Sequence, residues 1–343
     1  MFSRNVKIMA LVVAGITLGT IQTVFAQRDK DLGVDGGMLT YSRNQPVIPA
    51  YEGYHPNPDG TCDMWFGYLN QNYREEPDVP VGANNNVGPK PYGPDAGQPA
   101  HFLPRHNRYV FKVTVPKDYD KEVVWTLTSH GKTYSAYGTL KSAYVQDDDG
   151  MQREFFNPLP TPGNKAPVIK MEGDNHRTAK VGEPVTMAAI VTDDGLPRAG
   201  RGGPPGPGGG PPPGAGGRGA GGRGGGGFPG FPSICGADTS PQNCGAPNEG
   251  ALNLASVQGL RMGCFVYRGT GSAVAFDPPQ IKMWEDHRGG SPWAAGFVLP
   301  PIPKDNRWVL QTSFAEPGNY VVRCLAHDGS LQTPADVTFT VTK

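Results

Sequence analysis

The 343-residue chain contains 49 Gly and 36 Pro, about a quarter of all residues, whereas ordinary proteins have roughly 12% of these two types. The excess is concentrated in residues 198–232, which hold 18 Gly and 8 Pro in 35 positions. Basic and acidic residues balance at 31 each, which excludes a strongly basic nucleic-acid-binding protein and an acidic solvating protein as default interpretations. We therefore expect a globular chain with one low-complexity tract and no nucleic-acid partner.

Residues 1–26 have the three parts of a secretion signal. Arg4 and Lys7 precede an apolar run that begins at Ile8, and the segment ends in Val24-Phe25-Ala26, whose small residues suit a signal peptidase. Glycines and polar residues interrupt the run, so a retained membrane anchor is the less favoured alternative. Cleavage leaves a net charge of −2. We expect a secreted, periplasmic or cell-surface protein that is not inserted in the membrane after cleavage.

Short segments with period-2 hydrophobicity predict an N-terminal β-sandwich domain over residues 38–160. The segments are Cys62–Tyr68, Tyr109–Val115 and Glu122–Thr128. After the last of them, Ser129-His130-Gly131-Lys132 predicts a hairpin turn into Thr133–Tyr137. A Pro-rich linker then follows at 161–167, and its composition is that of a stiff spacer.

The same alternation continues in a second unit, where it marks Val185–Val191, Tyr320–Ala326 and Val337–Val341. Residues 165–197 and 258–343 together match the size of one immunoglobulin-type sandwich, about 100 residues. The Gly/Pro-rich tract 198–232 is then a disordered insertion within one domain, followed by a loop at 233–257. Such a long insertion is tolerated because loop-closure entropy grows only logarithmically with length.

Motifs in this unit resemble a bacterial Ig-like module of the PKD type. They are Val181-Gly182-Glu183-Pro184-Val185-Thr186, Val191-Thr192-Asp193-Asp194-Gly195-Leu196-Pro197, Pro317-Gly318-Asn319-Tyr320-Val321-Val322-Arg323 and Asp328-Gly329. In that family these are the second strand, its exit turn, and the penultimate strand with its closing turn. The resemblance implies an all-β chain of two β-sandwich (Ig-like) domains, the second interrupted by the long disordered Gly/Pro-rich loop.

The resemblance also bears on the cysteines. Where family members carry a core Trp on the third strand, this chain has Cys264, which implies a disulfide to Cys324 on the neighbouring strand. Cys235 and Cys244 enclose eight residues and are expected to form a short disulfide clip. Export would place all of them in an oxidising compartment. Cys62 is left over, and it is either a small buried hydrophobe or a reactive or intermolecular thiol.

The N-terminal half resembles a β domain of secreted bacterial proteins of unknown function. The matching segments are Asp59-Gly60, Phe66-Gly67-Tyr68-Leu69-Asn70, Pro80-Val81-Gly82, Gly97-Gln98-Pro99, Phe102-Leu103-Pro104 and Trp125-Thr126-Leu127. This resemblance implies a fold and a location, and it brings no activity to the chain.

Motifs for chemistry are sparse. The chain has no G-x-S-x-G elbow and no H-x-x-x-H pair. The acidic runs Asn57-Pro58-Asp59-Gly60 and Asp147-Asp148-Asp149-Gly150 lack EF-hand spacing and are predicted as turns. His101 and His106 are placed in a loop. We therefore predict no catalytic residue, no metal site and no cofactor.

One segment is a candidate for binding a partner. Trp284 and Trp293 bracket polar residues that include His287, an arrangement that suits stacking on sugar rings or anchoring a protein. The favoured alternative is that the tryptophans cover the edge of a sandwich. The functional hypothesis is a non-enzymatic envelope or secreted protein with a structural, adhesion or protein-interaction role, whose partner is an unidentified envelope protein or glycan. The alternative is a carbohydrate-binding or hydrolytic accessory protein of the envelope.

Overall fold

A computed structural model of the chain describes residues 32–35, 38–154, 161–197, 256–288, 290–294 and 297–343, with the backbone alone before residue 41. The predicted signal segment (1–26), the predicted insertion (198–232) and the cysteines of the predicted clip (Cys235 and Cys244) lie outside the described residues. Within the described ranges, no helix combines the length and the apolar composition that a membrane span requires.

The regular secondary structure of the described part of the chain is almost entirely β-strand. Its strands are β1 (Leu32–Asp35), β2 (Met38–Tyr41), β3 (Val47–Pro56), β4 (Thr61–Asn70), β5 (Asn85–Gly88), β6 (Arg105–Pro116), β7 (Val123–Ser129), β8 (Lys132–Gly138), β9 (Val168–Met171), β10 (His176–Lys180), β11 (Val185–Thr192), β12 (Arg261–Arg268), β13 (Val274–Asp277), β14 (Arg307–Phe314), β15 (Gly318–His327) and β16 (Gln332–Thr342). One helix, α1, spans Asp148–Glu154, and 3-10 turns lie at Ser142–Tyr144, Gly271–Ala273 and Lys304–Asn306.

The predicted acidic turns have two outcomes. Asn57-Pro58-Asp59-Gly60 is a turn, in which the Gly60 amide donates to the Asn57 carbonyl at 3.1 Å. The Asp147–Gly150 run instead begins helix α1, because Asp147 Oδ1 accepts the Gly150 amide at 2.7 Å. A side-chain oxygen that accepts an amide in the first turn is an N-cap contact, so this prediction of a simple turn was wrong.

The N-terminal domain is a sandwich of two three-stranded antiparallel sheets, β3-β4-β6 and β5-β7-β8. Period-2 side chains of both sheets meet in a core of aromatic rings, in which Phe66 stacks on Phe111 at 5.2 Å and Phe102 stacks on Trp125 at 6.4 Å. The predicted hairpin is confirmed, since Ser129 pairs with Lys132 at the end of the β7-β8 ladder.

The C-terminal domain is an eight-stranded Ig-like sandwich. One sheet has the order β10-β16-β15-β12 and the other β13-β14-β11-β9, with β10 parallel to β16 and the other pairs antiparallel. The chain leaves β11 in the second sheet and returns as β12 in the first. The residues between them therefore interrupt one domain, as the strand pattern predicts.

The disulfide between Cys264 and Cys324 is confirmed. The two cysteines are register partners on β12 and β15, and both side chains lie in the core of the C-terminal sandwich. The bond joins neighbouring strands of one sheet across 60 residues of sequence. Cys62 is a buried free thiol in the core of the N-terminal domain, and burial raises its pKa.

The two sheets of the C-terminal sandwich have different surroundings. On the β13-β14-β11-β9 sheet, here the open sheet, side chains of β14 alternate between buried and exposed. On the β10-β16-β15-β12 sheet, here the covered sheet, β12 and the last eight residues of β15 have almost no exposed side chain. The outer face of the covered sheet packs against the N-terminal domain, where Tyr267, Arg268, Arg323 and Gln332 all donate hydrogen bonds to its backbone carbonyls. The linker therefore does not separate the domains as a spacer would.

Candidate functional site

Backbone irregularities in the N-terminal domain lie where it meets the covered sheet. The β3-β4 register shifts at Glu52, and the β4-β6 register shifts between Phe66 and Tyr68. On β6, Arg105 and Tyr109 have positive φ of 61° and 51°. β-Bulges redirect side chains, and strained backbone is retained mostly at functional or tightly constrained positions. These irregularities turn polar side chains of β3 and β6 toward the C-terminal domain.

The result is a group of charged side chains, here the interdomain cluster, made of Glu52, His106, Arg108, Glu285 and His287. Within the N-terminal domain, Glu52 lies 3.5 Å from His106 Nε2 and 3.4 Å from Arg108 Nη1. From the C-terminal domain, Glu285 Oε2 lies 3.4 Å from His106 Nδ1 and 3.5 Å from Arg108 Nε. The Glu285 amide also donates to the His106 carbonyl at 3.1 Å. Both carboxylates are therefore shared among cations.

Burial and ion pairing shift the pKa values of the cluster residues in opposite directions. Burial disfavours the ionised form of Glu285, but hydrogen bonds from His106 and His287 and the charge of Arg108 lower its pKa to about 2. Burial likewise disfavours protonated His106, but Glu285 and Glu52 raise its pKa. Glu285 is thus an ionised, fully paired carboxylate, which is the state of a structural anion and not of a general acid.

A cavity of about 40 Å³ lies beside the cluster, lined by Arg108, Tyr109, Trp284, Glu285 and Trp293 among others. A water molecule needs roughly 10–15 Å³ of such space, so the cavity has room for a few waters.

The three residues predicted to bind a partner meet beside this cavity. Trp293 is buried against Tyr109 of the N-terminal domain and meets His327 edge to face at 5.7 Å. His287 lies 3.5 Å from Glu285, and its Nδ1 lies 3.4 Å from the Trp293 carbonyl oxygen. Trp284 is half-buried and lines the cavity. The segment thus contacts the N-terminal domain of its own chain.

A second histidine lies at the same interface. His101 is buried, and its Nδ1 and Nε2 lie 2.7 Å from Asp78 and 3.0 Å from Glu76. Burial by itself would lower the pKa of this imidazole, but the two carboxylates outweigh burial and raise the pKa to about 9. The ring packs on Gly271 so closely that a Cβ there would lie 2.0 Å from His101 Cε1. A side chain at position 271 is therefore incompatible with this contact.

Two arginines of the covered sheet complete the interface. Arg268 forms two hydrogen bonds to Asp95, at 2.9 and 2.7 Å. Arg323 stacks on the ring of Tyr267 at 3.5 Å, pairs with Asp336 and donates to the Val110 carbonyl. Tyr267 donates its hydroxyl to the Gly97 carbonyl at 2.6 Å. Planar guanidinium groups suit such combined stacking and bidentate contacts.

Sequence reasoning missed most of this site. It singled out Trp284, His287 and Trp293 but gave no role to Glu52, Arg108 or Glu285, and it placed His101 and His106 in a loop. His106 lies on β6 instead. The available signal was the uninterrupted apolar run of β12, which is typical of a strand that is buried on both faces. Among the residues that the structure describes, no group of three His, Cys, Asp or Glu side chains could hold a metal ion.

Comparison with known proteins finds no matching family model and no matching curated protein. Among solved structures, the chain is similar to the N-terminal eight Ig domains of Down Syndrome Cell Adhesion Molecule (DSCAM) isoform 1.30.30, with 6% identity, a TM-score of 0.21 and coverage of 86% of this chain. The chain spans 27% of the length of that structure. It is also similar to the D0-D1 domain of Intimin, with 9% identity, a TM-score of 0.21, and coverage of 86% of this chain and 100% of that one. At these TM-scores the likenesses carry no conclusion, and the Ig-like architecture rests on the strand order.

Proposed function

We propose that the chain is an exported, non-enzymatic protein of the cell envelope or the cell exterior, with a structural, adhesion or protein-interaction role. The observation that carries the proposal is the docking of the two sandwiches through the covered sheet. Domains of one chain move relative to one another unless their interface is extensive. The docked interface holds the two sandwiches in one arrangement, which suits a module that bears load or presents a surface.

The chemistry of the interface supports a role without catalysis. Glu285 and Glu52, the two carboxylates of the interdomain cluster, are paired to cations of the same chain. The low pKa of Glu285 disfavours general-acid chemistry. The alternative, a carbohydrate-binding or hydrolytic accessory role, predicts an aromatic platform or a cluster of carboxylates with shifted pKa values in a concave site. Trp293 is buried against the N-terminal domain and offers no such platform, and the carboxylates of the interdomain cluster are paired to cations of the same chain.

The export part of the proposal rests on the N-terminal segment and on the disulfide. Residues 1–26 have the composition of a signal peptide. Cys264 and Cys324 form a buried disulfide, and such bonds persist mainly in oxidising compartments. The PKD type and a bacterial source belong to this proposal as well, on the motifs around Asp193-Asp194-Gly195 and Pro317-Gly318-Asn319.

Export is tested by expressing the whole chain in a bacterial host and sequencing the N-terminus of the recovered protein. We expect the product to begin at Gln27 and to be found outside the cytoplasm. A product that keeps residues 1–26 and remains in the cytoplasm would contradict the proposal.

The interaction role is tested by affinity capture with the exported protein on envelope fractions and on a glycan panel. Retention of one envelope protein or glycan by the native chain supports adhesion or interaction, while the absence of any retained partner supports the structural role alone. Turnover of any glycan on the panel would overturn the non-enzymatic proposal. Tyr267→Ala at the docked interface and Val309→Ala on the open sheet form a matched pair that shows whether capture needs the docked arrangement.

A further inference from the structure

His101 lies at the interface with both of its ring nitrogens on carboxylates. Nδ1 is 2.7 Å from Asp78 Oδ1 and Nε2 is 3.0 Å from Glu76 Oε2. The contact extends across the interface, because the Gly271 amide approaches the same Asp78 oxygen at 3.4 Å and the ring itself packs on Gly271. The backbone amides of Ala100 and His101 both donate to the Tyr267 carbonyl. His101 and its carboxylates therefore form part of the surface on which the C-terminal domain rests.

His106 has the same arrangement and joins the two domains directly. Its Nε2 faces Glu52 of the N-terminal domain at 3.5 Å, and its Nδ1 faces Glu285 of the C-terminal domain at 3.4 Å. The other charged groups that face these atoms are Arg108, on the same strand, and His287, which lies 3.5 Å from Glu285. His106 is thus the central cation between two carboxylates of different domains.

The number of protons on an imidazole decides whether this arrangement is attractive. A neutral imidazole carries one N–H group, so it donates to one carboxylate and presents a lone pair to the other. A protonated imidazole donates from both nitrogens, and each contact becomes a charge-assisted interaction. With carboxylates on both sides, only the protonated form satisfies all the groups present.

We propose that docking of the two domains is proton-dependent, with His101 and His106 acting as protonated pins between carboxylates at the interface. Loss of these protons leaves lone pairs facing carboxylates, which are exposed to solvent at His101 and mostly buried at His106, and weakens docking while each sandwich stays folded. The inference goes beyond the proposed function, because it concerns how the two domains are held together and not what the protein binds.

The titration of both groups agrees with this geometry. The pKa of His101 is raised from 6.5 to about 9, and the pKa of His106 is also raised. A histidine whose pKa is raised by folding contributes its full stabilisation below the unfolded value and loses it as pH rises through the folded value. For His101 this window runs from 6.5 to about 9. The contribution of His101 is therefore complete below pH 6.5 and is lost as the pH rises through about 9, so docking is weaker in alkaline than in neutral solution.

The arginine contacts of the interface do not follow this pH dependence. Arg268 and Arg323 remain charged throughout the window, because guanidinium groups do not lose their protons there. Raising the pH therefore removes the histidine contacts selectively. A partial loss of docking is expected, and not unfolding of the chain.

Hydrogen exchange of backbone amides, corrected for the intrinsic pH dependence of exchange, tests the proposal on the full chain. The reporting amides are those of Glu285, which donates to the His106 carbonyl, and Ala100, which donates to the Tyr267 carbonyl. We expect their protection factors to fall at least about tenfold between pH 7 and pH 10. Amides of the β7-β8 hairpin, which lies inside the N-terminal domain, should keep theirs.

Substitutions separate the two histidines from general alkaline effects. The double variant His101→Gln and His106→Gln should show, already at pH 7, the low interface protection of the native chain at pH 10, with no further dependence on pH. His130→Gln is the matched control, because His130 pairs with Glu75 at 2.9 Å within the N-terminal domain. It should behave as the native chain does.

Two results would overturn the proposal. One is interface protection that is equal at pH 7 and pH 10 in the native chain. The other is an imidazole at His101 or His106 that titrates at or below the ordinary pKa of 6.5, read from the NMR chemical shifts of the two rings. The NMR measurement needs no variant, so the proposal stays testable even if the double variant does not fold.

Discussion

The two sheets of the C-terminal sandwich share one core but meet different surroundings on their outer faces. On the open sheet, Ile190 and Val309 are exposed, and the ion pair between Arg307 and Glu172 lies in solvent. On the covered sheet, the equivalent outward position on β12 holds Tyr267, which is 3% exposed and bonded to the N-terminal domain. A strand of the open sheet is therefore buried on one face only, whereas a strand of the covered sheet such as β12 is buried on both faces.

This difference indicates where the protein tolerates change. Outward side chains of the open sheet contact water and few neighbours, so truncating them removes little buried area. Outward side chains of the covered sheet lie in the centre of the interface with the N-terminal domain, where they pack and form hydrogen bonds. Four predictions test the contrast, from the largest expected effect to the smallest.

Tyr267→Ala should lower the free energy of unfolding by about 3–5 kcal/mol, because it removes a buried aromatic ring from the interface. It also removes the hydroxyl contact to Gly97 and the surface on which Arg323 stacks. Val309→Ala, on the outer face of the open sheet, should change stability by no more than about 0.5 kcal/mol. Urea unfolding of both variants measures the difference. Equal losses would mean that the two faces are equivalent.

Removing the disulfide with Cys264→Ala and Cys324→Ala should lower the free energy of unfolding by about 2–4 kcal/mol, since the bond closes a long loop in the unfolded chain. The cysteines face the shared core and not the docked face, so the loss should appear as unfolding of the C-terminal sandwich. Unfolding of the double variant is compared with that of the native chain under non-reducing conditions. A stability equal to that of the native protein would show that the bond contributes nothing.

Gly271→Ala should cost about 1–3 kcal/mol, because the added Cβ would overlap the ring of His101 and force the interface apart. Gly88→Ala is the matched control, since a Cβ at that position meets nothing within 4 Å. Thermal unfolding of the two variants gives the comparison. If Gly271→Ala is as stable as Gly88→Ala, the contact between the domains is looser than described.

Asp95→Asn and Glu172→Gln should have the smallest effects, each about 0–1 kcal/mol. Each removes the partner of a bidentate arginine, Arg268 at the docked interface and Arg307 on the open sheet. Both acidic side chains are substantially exposed, and solvent-exposed ion pairs stabilise little. The interface variant should lose slightly more, and unfolding at low and high salt should show it. A loss of several kcal/mol in either variant would contradict this assignment.

The sequence predicts the positions of strands better than it predicts the contacts between the two domains. Alternating apolar residues located Tyr109–Val115 in β6, Val185–Val191 in β11 and the final strand, because period-2 burial is written in the local order of residues. The tryptophan segment was recognised as unusual, but whether Trp293 contacts solvent, a partner or its own chain is not a local property. The partner of Trp293 is Tyr109, which lies far away in sequence.

By itself, the sequence determined the all-β class, the positions of several strands, the interruption of the second sandwich and the pairing of Cys264 with Cys324. These follow from periodicity, composition and resemblance to a known module, all of which are readable along the chain. Only the tertiary structure decided which sheet is covered and which carboxylates surround His101 and His106. Glu52 and Glu285 come to the same imidazole from opposite ends of the chain. Such a meeting depends on how two finished domains fit together, and no local pattern encodes it.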